Sequence, residues 1–212
     1  MKIGIIGATG NAGSAIYKVA QQRGLDVTAI VRNAAKAREV LGADANVIEK
    51  NAFALTAGDL TKFDYVVNAF ATPTAYQHID LAAKLVRELR ENKTTKIIFI
   101  IGASSLLKPD GTKLLDSLLQ DENAANWIAT PIEQAKELTF LKLIDNVEWL
   151  AVSPQANFVP GPAAEYQLGV DHLLFNAAGH SIVSTGTMAE ALVDQIENPT
   201  VPVRTRFTVG DK

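Results

Sequence analysis

The chain has 212 residues, a net charge of −3, 48% hydrophobic and 20% charged residues. That is enough apolar material for one well-buried domain, too little length for two ordinary ones, and not the balance of a disordered or nucleic-acid-binding chain. Cysteine is absent, which excludes disulfides, thiolate nucleophiles and Cys-type zinc sites together and fits a reducing cytoplasm. No apolar run approaches the roughly 20 residues of a membrane-spanning helix, and the first strand begins at Lys2, so neither a membrane anchor nor a signal peptide is expected.

In chain order, an apolar run ends in Gly7-Ala8-Thr9-Gly10-Asn11-Ala12-Gly13, a G-x-x-G-x-x-G turn. An amphipathic stretch from Ser14 to Arg23 follows, then a second apolar run, Val27 to Val31, closing on Arg32. This predicts strand, glycine turn, helix and strand: a βαβ unit with a phosphate cradle at its first crossing. Residues 34–42 read as a helix, Asn46–Glu49 as a short strand and Asp64–Phe70 as a buried strand. A long helix is expected over 76–91, with Ile79, Ala82, Ala83, Val86 and Leu89 on its inner face. Lys96–Ile101 is the next strand, turning out through Gly102–Ser105 into a looser stretch, 106–124. Helical pattern then runs from Ala125 to Ile144, with Pro131 starting its main part. A strand at Val147–Val152 leads to Ser153-Pro154 and a loop holding Pro160-Gly161-Pro162, a possible lid with Tyr166. A short strand at Ser181–Val183, a helix over 187–197 and a strand at Arg206–Val209 end the pattern. The alternation predicts an α/β fold of Rossmann type, doubly wound, with a mostly parallel sheet and helices on both faces. A single domain over 1–212 is expected, its substrate-pocket portion built from about 105–124 and 153–185.

In such sheets ligands bind beyond the carboxyl ends of the strands, where strand order reverses. Gly7 permits the tight turn, Gly10 lets backbone approach a pyrophosphate, and Gly13 lets the helix pack closely on the sheet. Arg32 stands at the tip of the second strand, where a carboxylate would hold the ribose 2′-hydroxyl of NAD and an arginine accommodates the 2′-phosphate of NADP; Lys36 and Arg38 follow. Small residues at Ala69, Ala71 and Ala103 suit a flat cofactor close to backbone. Ser104 and Ser105 have two readings: hydrogen bonds to a substrate carbonyl or the nicotinamide amide, or capping of the next helix.

The residues four beyond Tyr17, Tyr65, Tyr76 and Tyr166 are Gln21, Ala69, Asp80 and Val170. No Tyr-x-x-x-Lys pair exists, which argues against an ordinary alcohol dehydrogenase and a sugar-nucleotide epimerase. His78, His172 and His180 have no metal-ligand spacing and read as surface or helix-face residues. Ser104 and His172 are the candidates for a catalytic role, with the catalytic set otherwise unknown. Ser105, Phe158 and Tyr166 are the expected substrate contacts, with Phe158 and Tyr166 reading equally as aromatic stacking on an acceptor or as lid or core packing. Trp127 and Trp149 read as core, with Trp127 able to line the pocket, and the acidic residues of 187–197 read as a solvated face.

The chain resembles the atypical short-chain dehydrogenase/reductases of the NmrA-like, NAD(P)H-binding group. Within that group it is most similar to bacterial proteins described as candidate NADH–flavin reductases, related to biliverdin reductase B. The carriers are Lys2–Gly13, Val31-Arg32-Asn33, Asp64–Phe70, Ser153-Pro154, Pro160-Gly161 and Arg206–Val209, which span most of the chain. The resemblance implies NADP(H), preferred over NAD(H), lying across Gly7–Gly13, Arg32, Phe70 and Ser104, and a substrate pocket from 105–120 and 153–166. With the strand ends above, the expected cofactor set is Gly7, Thr9, Gly10, Asn11, Ala12, Gly13, Arg32, Asn51, Ala52, Ala69, Phe70, Ala71, Gly102, Ala103, Ser104, Pro154 and Asn157. Two departures stand out: Asn51 and Ala54 occupy positions where the family often has acidic residues near adenine. An asparagine still accepts a hydrogen bond from the adenine amine, more weakly.

Two functions fit. The first is an NADPH-dependent reductase passing hydride to a small aromatic acceptor, with a flavin or quinone as substrate. The second is a non-catalytic NADP(H)-binding redox sensor of the NmrA-like type. Both predict a cytoplasmic monomer or small homo-oligomer, with no nucleic-acid or membrane partner.

Overall fold

The computed structural model describes residues 1–212. The first half alternates strictly: β1 (Lys2–Ile6), α1 (Asn11–Gln22), β2 (Asp26–Val31), α2 (Ala34–Leu41), β3 (Val47–Glu49), α3 (Ala57–Leu60), β4 (Tyr65–Asn68), α4 (Gln77–Leu89) and β5 (Lys96–Ile100). The second half holds α5 (Leu114–Leu118), α6 (Ala129–Leu141), β6 (Trp149–Ser153), β7 (Asn157–Val159), β8 (Tyr166–Gly169), β9 (Ile182–Ser184), α7 (Thr185–Glu197) and β10 (Thr205–Asp211). Eight strands form one sheet in the order β3-β2-β1-β4-β5-β6-β10-β8. Strand order reverses at β1, which pairs in parallel with β2 on one side and β4 on the other. The fold is the expected Rossmann-type α/β arrangement.

Side-chain alternation divides the core between the two faces of the sheet. Ile3 and Ile5 of β1 and Ile98 of β5 face a cluster shared with α1, α2 and α7. Ile6 of β1 and Ile97 and Phe99 of β5 face the other, shared with α4 and α6. Both faces are covered, so the central strands read as nearly continuous apolar runs.

The structure differs from expectation in four places. The inner face of α4 consists of His78, Leu81, Ala82, Leu85, Val86 and Leu89. Ala83 is exposed and Ile79 half-buried, because Leu81 and Leu85 present more apolar area to the sheet than Ala83 does. Pro131 is the third residue of α6 and does not begin it; a first-turn amide has no intrahelical acceptor, so the proline loses nothing there. Residues 157–184 carry three strands where the sequence suggested one. β7 and β9 pair in parallel as a separate two-stranded sheet, and β8 joins the main sheet antiparallel to β10. Finally, the acidic face of α7 is not merely solvated. Arg23, just past α1, binds Asp194 at 2.6 Å, Glu197 at 2.7 Å and also Glu190.

Candidate active site

The carboxyl end of β1 meets the start of α1 through the glycine turn, and each glycine there is held by a different constraint. Gly7 has φ +76°, and a Cβ on it would stand 2.7 Å from the Ala69 carbonyl oxygen. A Cβ on Gly13 would strike the Gly7 carbonyl and lie 2.9 Å from the Ala8 Cα, so α1 could not seat on the turn. Gly10 differs. Its φ of −80° suits any residue, and an added Cβ would meet only the Gly7 oxygen at 3.4 Å. The space beyond Gly10 is open, as a ligand approaching backbone requires. The amides at the start of α1 are left without a side-chain cap or an acidic neighbour in the first turn, which favours an anion.

Two chambers meet over this turn. The smaller, about 300 Å³, lies on the β2 side and is lined by Gly7, Thr9, Gly10, Arg32, Lys36, Lys50, Asn51, Ala52, Phe53 and Gln77, among others. The Lys50 amine is spent on Asp59, at 2.6 Å. Arg32 and Lys36 have no carboxylate within 4.0 Å, so their charges face the chamber uncompensated. Asn33 caps α2 by accepting from the Lys36 amide at 2.9 Å, which fixes the turn that presents Arg32. Asn51 accepts from the Phe53 amide at 3.0 Å, and its carbonyl retains a second lone pair. Phe53 stands edge-on to Phe70, ring centroids 5.9 Å apart. Behind Phe70 the buried His78 ring packs at 6.0 Å, with no partner on its Nε2. Burial pushes the His78 pKa down, so the ring acts as a neutral support for Phe70; of the two expected placements, surface or helix face, it takes the helix face, turned inward.

The larger chamber, about 730 Å³, opens on the other side of the turn and shares Gly10, Ala69, Phe70 and Ala71 with the first. Its floor is Asn11, Ala12 and the strand ends Ile100–Ser104 and Pro154–Phe158. Leu114 and Leu118 of α5, Trp127, and Pro131 and Gln134 of α6 close the remaining sides. None of its 21 lining residues is Asp, Glu, His, Lys, Arg or Tyr. Trp127 is 40% exposed, a pocket wall and not core, whereas Trp149 is fully buried and donates to the Ile144 carbonyl at 2.9 Å.

The structure brings together on the two chambers every expected cofactor residue except Gly13, which is buried beneath the turn. Phe158, an expected substrate contact, lines the larger chamber. Five other expectations are corrected. Tyr166 lies on β8, where its hydroxyl donates to Asp194, and burial with that bond pushes its pKa up to about 12. Ser105 turns away from the chamber, and Arg206 donates to its hydroxyl at 3.1 Å. His172 is exposed beside Leu107 and lines neither chamber. Ser104 reaches the larger chamber, but its hydroxyl donates to the Pro131 carbonyl at 2.7 Å. Its proton is committed, leaving the oxygen as an acceptor only. Nor does the Pro160–Tyr166 segment act as a lid: Gly161 and Pro162 bond to the start of α7. Sequence reasoning missed Gln77 and Pro131, from the first turns of α4 and α6, and Gln134, from the next turn of α6, none of which carries a local mark.

The chain belongs to the NAD(P)H-binding family, whose pattern matches residues 7–199. The particular relatives are bacterial. The uncharacterised protein YwnB of Bacillus subtilis (strain 168) is 39% identical over 215 residues, covering 99% of this chain and 98% of that one. A solved structure from Lactobacillus casei is 41% identical, with TM-score 0.92, covering 100% of this chain and 99% of the other. A second, from Streptococcus pneumoniae TIGR4 and named as a candidate NADH-flavin reductase, is 32% identical with TM-score 0.88 and full coverage of both chains.

Proposed function

We propose that the protein is an NADPH-dependent reductase that passes hydride to a small, planar aromatic acceptor of the flavin or quinone kind. The observation that carries this reading is the pairing of the chambers: a cationic one and a neutral, largely apolar one, joined at Gly10 and Phe70. The residues fit a dinucleotide. Open space over Gly10 and the uncapped amides of α1 suit a pyrophosphate, Phe53 and Asn51 suit adenine, and Arg32 with Lys36 suits a 2′-phosphate. When bound, the nicotinamide would supply the hydride.

The larger chamber defines the acceptor by what it does not provide. No residue lining it can give a proton near neutral pH, since Ser104 is committed to Pro131. A ketone or aldehyde reduced there would be left as an alkoxide with no donor. A flavin or quinone delocalises the charge it gains and takes its proton from water. The chain's residues would then hold two flat rings together and keep the space between them dry, work suited to Phe70, Phe158, Trp127 and the α5 leucines. The name of the Streptococcus pneumoniae relative supports the same acceptor class.

The test is NADPH oxidation by the purified chain, with riboflavin and a small quinone offered separately. Turnover above the uncatalysed rate is expected, together with its loss in Gly10→Val. The conformation of Gly10 accepts a side chain, so that variant stays folded while its branch fills the junction. Tight NADPH binding with no turnover of either acceptor would defeat the reductase reading in favour of a sensor.

A further inference from the structure

A third cavity, about 440 Å³, lies behind the wall of the acceptor chamber. The two share the wall but none of its residues. The turn at Ala103–Ser105 gives Ser104 to the chamber and Ser105 to the third cavity. α5 gives Leu114 and Leu118 to one and Leu115 to the other, with Lys113 just ahead of it. α6 divides likewise, Gln134 facing the chamber and Ile132 and Lys136 the far side.

The charge here runs against that of the molecule. On a chain of net charge −3, this cavity is lined by three lysines and an arginine against one carboxylate. Arg206 is 3% exposed and anchors the floor, donating to Ser105 at 3.1 Å and Ser153 at 3.2 Å and pairing with Asp171. Burial opposes ionisation of Asp171, but the Arg206 guanidinium, with smaller help from the charges of Lys142 and His172, outweighs it and holds the carboxyl below its ordinary range, so most of the Arg206 charge is matched within the floor. Lys136 is paired with Glu133 at 2.7 Å. Lys113 and Lys142 have no carboxylate within 4.0 Å. Two amines without a direct ion pair, Lys142 feeling Asp171 only at longer range, thus stand at a concave site whose other lining includes Leu107, Leu115 and Ile132. The volume is that of a small-ligand site.

We propose that this cavity binds a small organic anion, its phosphate or carboxylate between Lys113 and Lys142 and its apolar body against Leu107, Leu115 and Ile132. Such a ligand would press on α5 and the start of α6 from behind, the same surfaces that bound the acceptor chamber. The site does not depend on the reductase reading.

Calorimetric titration of the full chain with phenyl phosphate and with benzoate, with and without NADP⁺, tests it. Saturable binding of at least one probe is expected. It should persist with NADP⁺ present and in Arg32→Ala, and weaken by roughly tenfold or more in K113Q/K142Q, since each charge-assisted contact is worth about a factor of ten. Both lysines are exposed, so the double variant retains the fold. The tighter probe identifies the headgroup as phosphate or carboxylate. No saturable binding of either probe into the millimolar range overturns the proposal. So does binding displaced by NADP⁺, or affinity unchanged in the double variant.

Discussion

Glu137 shows how much one side chain can cost a fold. It lies on α6, 2% exposed, with burial alone pushing its carboxyl up to about 8. A carboxyl that binds its proton more tightly when folded contributes fully below its ordinary value of 4.5 and loses that contribution as pH rises toward 8. At pH 7 the deficit is about 3 kcal/mol. Glu137→Gln should therefore be more stable than the parent at pH 7 and flatten the decline between pH 5 and 8, read by urea denaturation across that range. A parent whose stability is level over the window would refute the burial argument. Arg32 offers the second test at this scale. Arg32→Ala should weaken NADPH binding about ten- to a hundred-fold, the worth of a charge-assisted contact, and barely alter NADH binding. Equal losses for both would remove the 2′-phosphate assignment. These residues also mark what a sequence can carry. Gly7, Gly10, Gly13 and Arg32 act through backbone geometry or a strand tip, which local spacing records. Ser104 and Tyr166 could not be judged that way, since their partners, Pro131 and Asp194, lie 27 and 28 residues further on.

Among elements, the contact of α1 with α7 joins the phosphate cradle to the far end of the chain. Arg23 makes the joint by gathering three carboxylates from successive turns of α7, one of which also receives the Tyr166 hydroxyl. Arg23→Ala leaves those carboxylates facing one another. A loss of about 1–2 kcal/mol is expected at low ionic strength and a smaller one in high salt, measured by chemical denaturation at both; a loss independent of salt would point to packing instead. Elements of this size were legible where their apolar pattern was long, as in the βαβ unit, β4, β5, β6 and α7. β7 and β8 were not, because they have only three and four residues and no period to detect. The division of residues 106–124 into wall and surface was equally hidden, since α5 is only five residues long and has no buried residue of its own.

Across the whole molecule the two ligand chambers draw on different parts of the chain. The cationic chamber is built entirely from residues 6–77, while the acceptor chamber also needs residues 100–158. Its floor after β6 is held by a residue that comes later still. Gln155 is fixed by donating to Thr208 at 2.7 Å and to the Val209 carbonyl at 3.1 Å, both on β10. β10 is the last strand in chain order, yet it lies inside the sheet, between β6 and β8. During synthesis the ribosome releases the cradle early and this strand last of the sheet, with β6 keeping a bare edge in the meantime. On the proposed reading, translation therefore passes through a stage at which the nascent protein can capture its reductant but has nowhere to spend it.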